Sequence, residues 1–331
     1  MSHDADNDSQ GGSLNYNCVL EVLASGVPVA PPPVVSIITT MRNAGLFLQE
    51  TLDSILTQAT SVPLEFSIFD DASQDNSVEI LRAAVPRFVS RGIRVVLSAL
   101  VPGEMTPRGV GFGKNRAVER CSGEYLCFLD ADDVMMPERI EEQLRTARSF
   151  TVPEKVLVGS NFVRTPEGST ARYTDWCNSL TEEELWTRRF CECTVVMPTW
   201  FCHRDVFTRA GGFSETGRGT PEDLIFFYGH LDGGGQLSKV PRPLLTYRYH
   251  QTSASHSVDR WTIWDVRIRA IQANLLDHLG SFTIWNAGEG GDLLRVFVRL
   301  CLTLRSVVRK RRPEILQVPV PGQPGQGGGP L

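Results

Sequence analysis

Tyr125–Asp133 (YLCFLDADD) runs an apolar strand straight into three carboxylates, Asp130, Asp132 and Asp133. The segment Tyr125–Asp130 is short, bulky and almost wholly apolar, the composition of a strand buried on both faces of a parallel sheet. Such sheets bind ligands in the crevice beyond the carboxyl ends of their strands. Carboxylates crowded there repel one another unless a cation neutralises them. A hard divalent ion, Mn²⁺ or Mg²⁺, with diphosphate oxygens completing its shell, answers that repulsion. The plainer alternative is an acidic loop leading into a helix at Pro137, since acids suit helix N-termini. A second apolar run, Leu64–Asp70, also ends in paired acids, Asp70 and Asp71. A third pair, Glu222 and Asp223, follows Pro221, which taken alone is an ordinary helix start.

Outward from this strand, strand-length apolar runs alternate with helical spacing. Val34–Thr40 reads as a buried strand, and Leu46–Gln58 as a helix through Leu48, Leu52 and Ile55. After the strand Leu64–Asp70, a helix is expected near Asn76, capped by a box with Glu79. Arg94–Leu97 reads as a strand, Gly113–Cys121 as a short helix, and a further helix starts from Pro137. The rhythm predicts an α/β fold with a mostly parallel central sheet flanked by helices. Beyond residue 150 the pattern loosens to helices at Thr181 (capping box with Glu184) and near Pro221, then strands Gln236–Val240 and Leu244–Tyr249. The expected organisation is a disordered leader over 1–33, ending in Pro31-Pro32-Pro33, and one large domain over 34–285. Within that domain a nucleotide-binding half (34–150) precedes an acceptor half (151–285); a basic helix and Pro/Gly tail follow over 286–331.

Bulk properties restrict the function. The net charge of −5 over 331 residues argues against a generic polyanion binder, so any nucleic acid must meet a local basic patch. Two are candidates: Arg204, Arg209 and Arg218, and the run Arg295, Arg299, Arg305, Arg309, Lys310, Arg311 and Arg312. The second also reads as a solvated basic helix. No apolar run reaches the ~18 residues of a membrane span, and the N-terminus is polar and acidic. The eight cysteines form no CxxC pair, which suits reduced thiols in the cytoplasm. Oligomeric state leaves no trace in the sequence.

Five segments resemble, in order, those of family 2 glycosyltransferases: VSIITTMRNAGLFLQETLDSILTQ from 35, FDDASQDNS from 69, GKNRAVERCSGEYLCFLDADDVMMPER from 113, PEDL from 221 and YRYH from 247. The resemblance implies the GT-A nucleotide-diphospho-sugar transferase fold. It also implies metal-dependent, inverting transfer from a UDP-sugar to an acceptor hydroxyl. Thr39 and Asp71 would then contact uridine, Asp71 accepting the imide hydrogen. Asn115 would back the nucleotide pocket and Asp130 would meet the ribose side of the donor. Asp132 would be the main metal ligand, with Asp133 supporting. Asp223 would be the catalytic base, oriented by Glu222, while Arg248 and His250 would reach the diphosphate, His250 also serving as a metal ligand. PRGVGFGKN, VMPTWFC, PEDLIFFYGHL and FTIWNAG resemble most closely those members that move galactose from UDP-galactose to the queuosine base of a tRNA anticodon. That implies a tRNA acceptor. After FTIWNAG the sequence departs from those members.

Three rival readings remain at this point. One is a UDP-GlcNAc β-1,3-N-acetylglucosaminyltransferase acting on galactose-ended glycans. Another is a phosphatase of haloacid dehalogenase type using Asp130-x-Asp132. The third is an inactive nucleotide-binding protein.

Overall fold

The computed structural model describes residues 18–22, 32–100, 106–279, 281–284 and 316–319. The expected C-terminal basic helix therefore lies outside the described residues, as does nearly all of the expected tail and most of the expected leader. In chain order the first half comprises β1 (Cys18–Val22), β2 (Val35–Met41), α1 (Leu48–Leu56), β3 (Leu64–Asp70), α2 (Ser77–Ser90), β4 (Arg94–Leu100), α3 (Val110–Arg120), β5 (Tyr125–Phe128), β6 (Val134–Met135) and α4 (Arg139–Arg148). The second half adds β7 (Val156–Thr165), α5 (Ala171–Ser179), α6 (Glu182–Thr187), β8 (Phe201–His203), α7 (Arg204–Ala210), α8 (Glu222–Asp232), β9 (Gln236–Arg248) and α9 (Arg260–Asn274). Two further strands, β10 (Ser281–Ile284) and β11 (Leu316–Pro319), pair with each other.

One sheet carries the order β1-β4-β3-β2-β5-β8-β7-β9-β6. Its parallel core is β4-β3-β2-β5, the four strands legible as apolar runs. Past β5 the pairing is mixed: β8 is antiparallel to both neighbours, β9 is parallel to β7, and β6 is antiparallel to β9. Cys18–Val22, within the expected leader, pairs antiparallel with β4 at the opposite edge.

Both faces of the parallel core are covered, which explains why those strands read as continuous apolar runs rather than alternating ones. One face packs Ile37, Phe66 and Val95 against Leu48, Leu52 and Ile55 of α1, Leu81 and Phe88 of α2, and Leu144 of α4. The other sets Ile38, Phe69 and Leu126 against Phe112 and Val118 of α3 and Phe226 and Phe227 of α8. Here Phe213 stacks on Phe226 at 4.8 Å between ring centroids, and Trp200 lies 5.3 Å from the same ring. Each such ring buries about 1.5–3 kcal/mol of transfer free energy. The cluster thereby fixes the first turns of α8, where Glu222 and Asp223 stand.

The end of β5 is held just as firmly. Arg139, fully buried, donates from Nη2 to the Phe128 carbonyl at 2.8 Å, and Gln143 donates to the Thr199 carbonyl at 2.7 Å. These bonds satisfy carbonyls that the terminating strand would otherwise bury unpaired. The chain is thus free to turn out into Asp130–Asp133.

Local details differ from expectation in two places. The box expected between Asn76 and Glu79 does not form. Asn76 is the N-cap of α2 without a side-chain bond, and Asp75 accepts from the Ser77 amide at 3.1 Å instead. The Thr181–Glu184 box does form, with both reciprocal bonds present. The two strands expected around Pro241 and Pro243 are one strand, β9, because a register shift against β7 falls at these residues. A bulge is where proline's missing N–H does least harm. Among the described cysteines, Cys121, Cys127, Cys177, Cys193 and Cys202 are buried and unpaired and Cys191 is exposed.

Candidate active site

The turn after β5 brings the carboxylates of Asp130, Asp132 and Asp133 together, with one oxygen from each within 4.8 Å of the others. Asp133 is fully buried; its Oδ1 accepts the Arg248 amide at 2.8 Å, while its Oδ2 is buried without a partner. Burial, together with the Asp132 and Asp130 charges, pushes the Asp133 carboxyl well above the usual carboxylate range. Burial and then Asp130 do the same, less strongly, to Asp132. His250 closes the group from the end of β9, its Nε2 lying 2.7 Å from Asp132 Oδ2 and its Nδ1 2.8 Å from the Thr252 hydroxyl. An orphaned buried oxygen, three crowded carboxyls and an imidazole match the donor set of a hard or borderline divalent cation. The residues fit Mn²⁺ or Mg²⁺.

Lys114 was not foreseen as a site residue. Its side chain is wholly buried in α3, yet its Nζ reaches Asp130 Oδ1 at 2.9 Å and Met197 Sδ at 3.1 Å. It also stabilises the charged forms of Glu222 and Asp223. The ammonium thus stands between the metal acids and the expected base. The sequence did hold a signal: Gly111, Lys114, Asn115 and Val118 follow i, i+3, i+4, i+7 spacing, and all four are buried. A lysine on a buried stripe has to find a carboxylate.

Glu222 and Asp223 form the first turn of α8, with Asp223 Oδ1 accepting from the Leu224 amide at 2.7 Å. Burial, then the neighbouring Asp223, raises Glu222 from 4.5 to about 7. Burial also raises Asp223. A sign follows for stability. Between pH 4.5 and about 7 the folded chain keeps a proton on Glu222 that the unfolded chain has lost, so stability falls as pH rises through that window. Glu222→Gln should remove this fall. Metal-free melting curves of the variant are expected to flatten across the window by up to roughly 3 kcal/mol. A variant that keeps the wild-type slope would mean that Glu222 ionises freely in the fold.

Asp71, expected at the uridine, follows β3 directly. Its two oxygens accept the amides of Arg108 and Gly109, at 2.7 and 2.8 Å, so it anchors the start of α3. Gly109 has φ +96° and its Cα lies against the backbone of Gly217, so this loop, the one holding Arg218, and α3 meet. Gly111 is equally constrained, because a Cβ there would strike the Ser214 carbonyl at 2.1 Å. Asp71, Asp130 and Glu222 therefore all meet α3 or the loop at its start: Asp71 through the Arg108 and Gly109 amides, Asp130 through Lys114 and Glu222 beside Gly111.

The other expected site residues have the following contacts. Thr39, expected to contact uridine, is fully enclosed, with β2 continuing two residues past it to Met41. Asn115 is a structural staple, its amide donating to the Phe213 carbonyl and Glu215 while its carbonyl accepts the Phe213 amide. Arg248, expected at the diphosphate, is committed to Glu50 at 2.8 Å and to the Asp132 carbonyl at 2.8 Å. Arg204 is spent on the Gly123 and Val118 carbonyls, whereas Arg209 and Arg218 are exposed.

The family model for glycosyl transferase family 2 matches residues 36–207, just over half of the chain. The putative teichuronic acid biosynthesis glycosyltransferase TuaG of Bacillus subtilis is 33% identical over 112 residues, 34% of this chain and 41% of that protein. An uncharacterized glycosyltransferase of Haemophilus influenzae is 29% identical over a stretch that is likewise 41% of its length. The match thus spans about two fifths of these relatives. Among solved structures, residues 1–349 of S. aureus TarS in complex with UDP-GlcNAc superpose with TM-score 0.55 at 16% identity, covering 81% of this chain and 71% of that one. The mannosyltransferase PcManGT from Pyrobaculum calidifontis, in complex with GDP-Man and Mn²⁺, gives 0.51 at 18% identity, covering 75% and 66%. At such identities the likeness is one of fold, and that fold is GT-A. On the extent of the family match, the chain belongs to glycosyl transferase family 2.

Proposed function

We propose that the chain transfers a sugar from a UDP-sugar to an acceptor hydroxyl, with inversion, using Mn²⁺ or Mg²⁺. On the strength of PRGVGFGKN, VMPTWFC, PEDLIFFYGHL and FTIWNAG, the donor is UDP-galactose and the acceptor the queuosine base of tRNA, as in the queuosine-tRNA galactosyltransferases. The observation that carries the reading is the meeting of the Asp130–Asp133 group with Glu222 and Asp223 across the buried Lys114. Asp132, Asp133 and His250 would hold the cation, which when bound supplies Lewis-acid stabilisation to the departing diphosphate. Asp223 takes the proton of the attacking hydroxyl, oriented by the adjacent Glu222. Asp71 shapes the uridine end by fixing α3. Residues 34–285 form the catalytic domain on this reading, and tRNA as acceptor places the protein in the cytoplasm. No helix among the described residues is long and apolar enough to cross a membrane.

The test offers UDP-galactose, UDP-GlcNAc, UDP-glucose and GDP-mannose against total tRNA with and without queuosine, in Mn²⁺ and in EDTA. Label is expected in queuosine-containing tRNA from UDP-galactose alone, lost in EDTA and falling steeply with salt. Full activity in EDTA would remove the metal from the reading. Transfer indifferent to queuosine would remove the acceptor.

A further inference from the structure

Arg248 stands where four contacts cross. Its amide donates to Asp133 Oδ1 at 2.8 Å and its Nε to the Asp132 carbonyl at 2.8 Å. Its Nη2 donates to Glu50 at 2.8 Å, and its guanidinium lies 4.6 Å from the centroid of the Phe47 ring. The same ring packs on His250 at 4.7 Å, and His250 meets Asp132. Phe47 and Glu50 come from the start of α1, Arg248 and His250 from the end of β9, so these contacts tie the two halves together around the cation-binding turn.

We propose that Glu50 is a positioning residue for the metal site. It acts through Arg248 and touches neither cation nor donor. The inference rests on the metal-dependent reading above. The Arg248 side chain is only 15% exposed; its guanidinium pairs with Glu50 and rests on the backbone carbonyl of Asp132, beside the carboxylates assigned to the cation. An uncompensated guanidinium there competes with a divalent ion for Asp132 and Asp133 and repels it across a poorly solvated gap. Glu50, 62% exposed and outside the acid group, neutralises that charge from the solvent side. With its charge met, Arg248 stays over Phe47, pins the Asp132 carbonyl through its Nε and holds Asp133 Oδ1 through its amide. Partners that contact a metal's ligands directly, as Arg248 does Asp132, commonly set its affinity by 10–100-fold, and Glu50 acts on that affinity through Arg248.

The experiment titrates Mn²⁺ into the full chain without donor and reads free Mn²⁺ by electron paramagnetic resonance. Glu50→Gln is expected to weaken Mn²⁺ binding about tenfold. The KM for Mn²⁺ should rise by a similar factor, while kcat at saturating Mn²⁺ stays within about twofold. Asp53→Asn, one turn further along α1 and paired with Arg87, should leave Mn²⁺ affinity unchanged. Equal Mn²⁺ affinity in Glu50→Gln and wild type overturns the proposal. So does tighter UDP-sugar binding in the variant, which would make Glu50 a competitor of the donor phosphates. A wild-type chain that binds no Mn²⁺ overturns the metal reading itself, and this inference with it.

Discussion

Asp223→Asn is expected to lower kcat by about 10³-fold while UDP binding stays within about twofold of wild type. The substitution is nearly isosteric and keeps the oxygen that accepts the Leu224 amide, so the first turn of α8 survives. What disappears is proton affinity. Burial holds Asp223 above the ordinary carboxylate range, in the direction a general base near neutrality needs, while Lys114 restrains the shift. The acid limb of the wild-type kcat/KM profile should therefore lie above that of a free carboxylate, and it should vanish in the variant. Removing a carboxyl whose ionised form the fold disfavours also gives a sign for stability: the variant should melt slightly higher than wild type at neutral pH and not at pH 3. UDP release under saturating acceptor gives kcat, and calorimetry gives UDP affinity. A parallel loss of both would defeat the assignment of Asp223 as base and make it part of the donor site.

The parallel core and its acidic strand ends were open to reading because burial on both faces writes itself into composition: β2 and β3 are buried along their length and, apart from the internal Glu65, carry charge only at the end of β3. Asp130, Asp132 and Asp133 follow from that contrast alone. The antiparallel strand β8 and the long β9 were not separable in the same way. Three residues carry no period, and the prolines of β9 signalled a break that a bulge absorbs. Thr39 shows how little separates an interior from a rim position in a strand: β2 runs two residues past it, and that length is not marked in the sequence. Glu50 is the opposite case. It is an exposed acid on the polar face of α1, indistinguishable from its neighbours until the chain brings Arg248 to it across 198 positions. Contacts of that range leave no local signature, so tuning residues around the site are the part that only coordinates reveal.

Lys114→Met should produce the other large effect, and its dependence on pH separates electrostatics from packing. Methionine fills a similar volume beside Met197 and Phe213, so no large cavity opens. The loss is of charge: Asp130 gives up its partner at 2.9 Å, and Glu222 and Asp223 lose the cation that favours their ionised forms. Breaking a buried pair from one side costs about 3 kcal/mol or more. The deficit grows with pH, because each carboxyl that ionises does so without a counter-charge; at pH 4, well below the value of about 7 for Glu222, the variant should lie closest to wild type. Catalysis moves the same way. With Lys114 gone, Asp223 holds its proton to higher pH, so the acid limb of kcat/KM shifts alkaline and activity at pH 7 falls by about 10²-fold. Partial recovery toward pH 9 is the mark of this mechanism, since the base is still present and only its ionisation has been displaced. A loss of equal size at every pH would assign Lys114 to packing alone, and the charge link between the metal acids and the base would have to be abandoned.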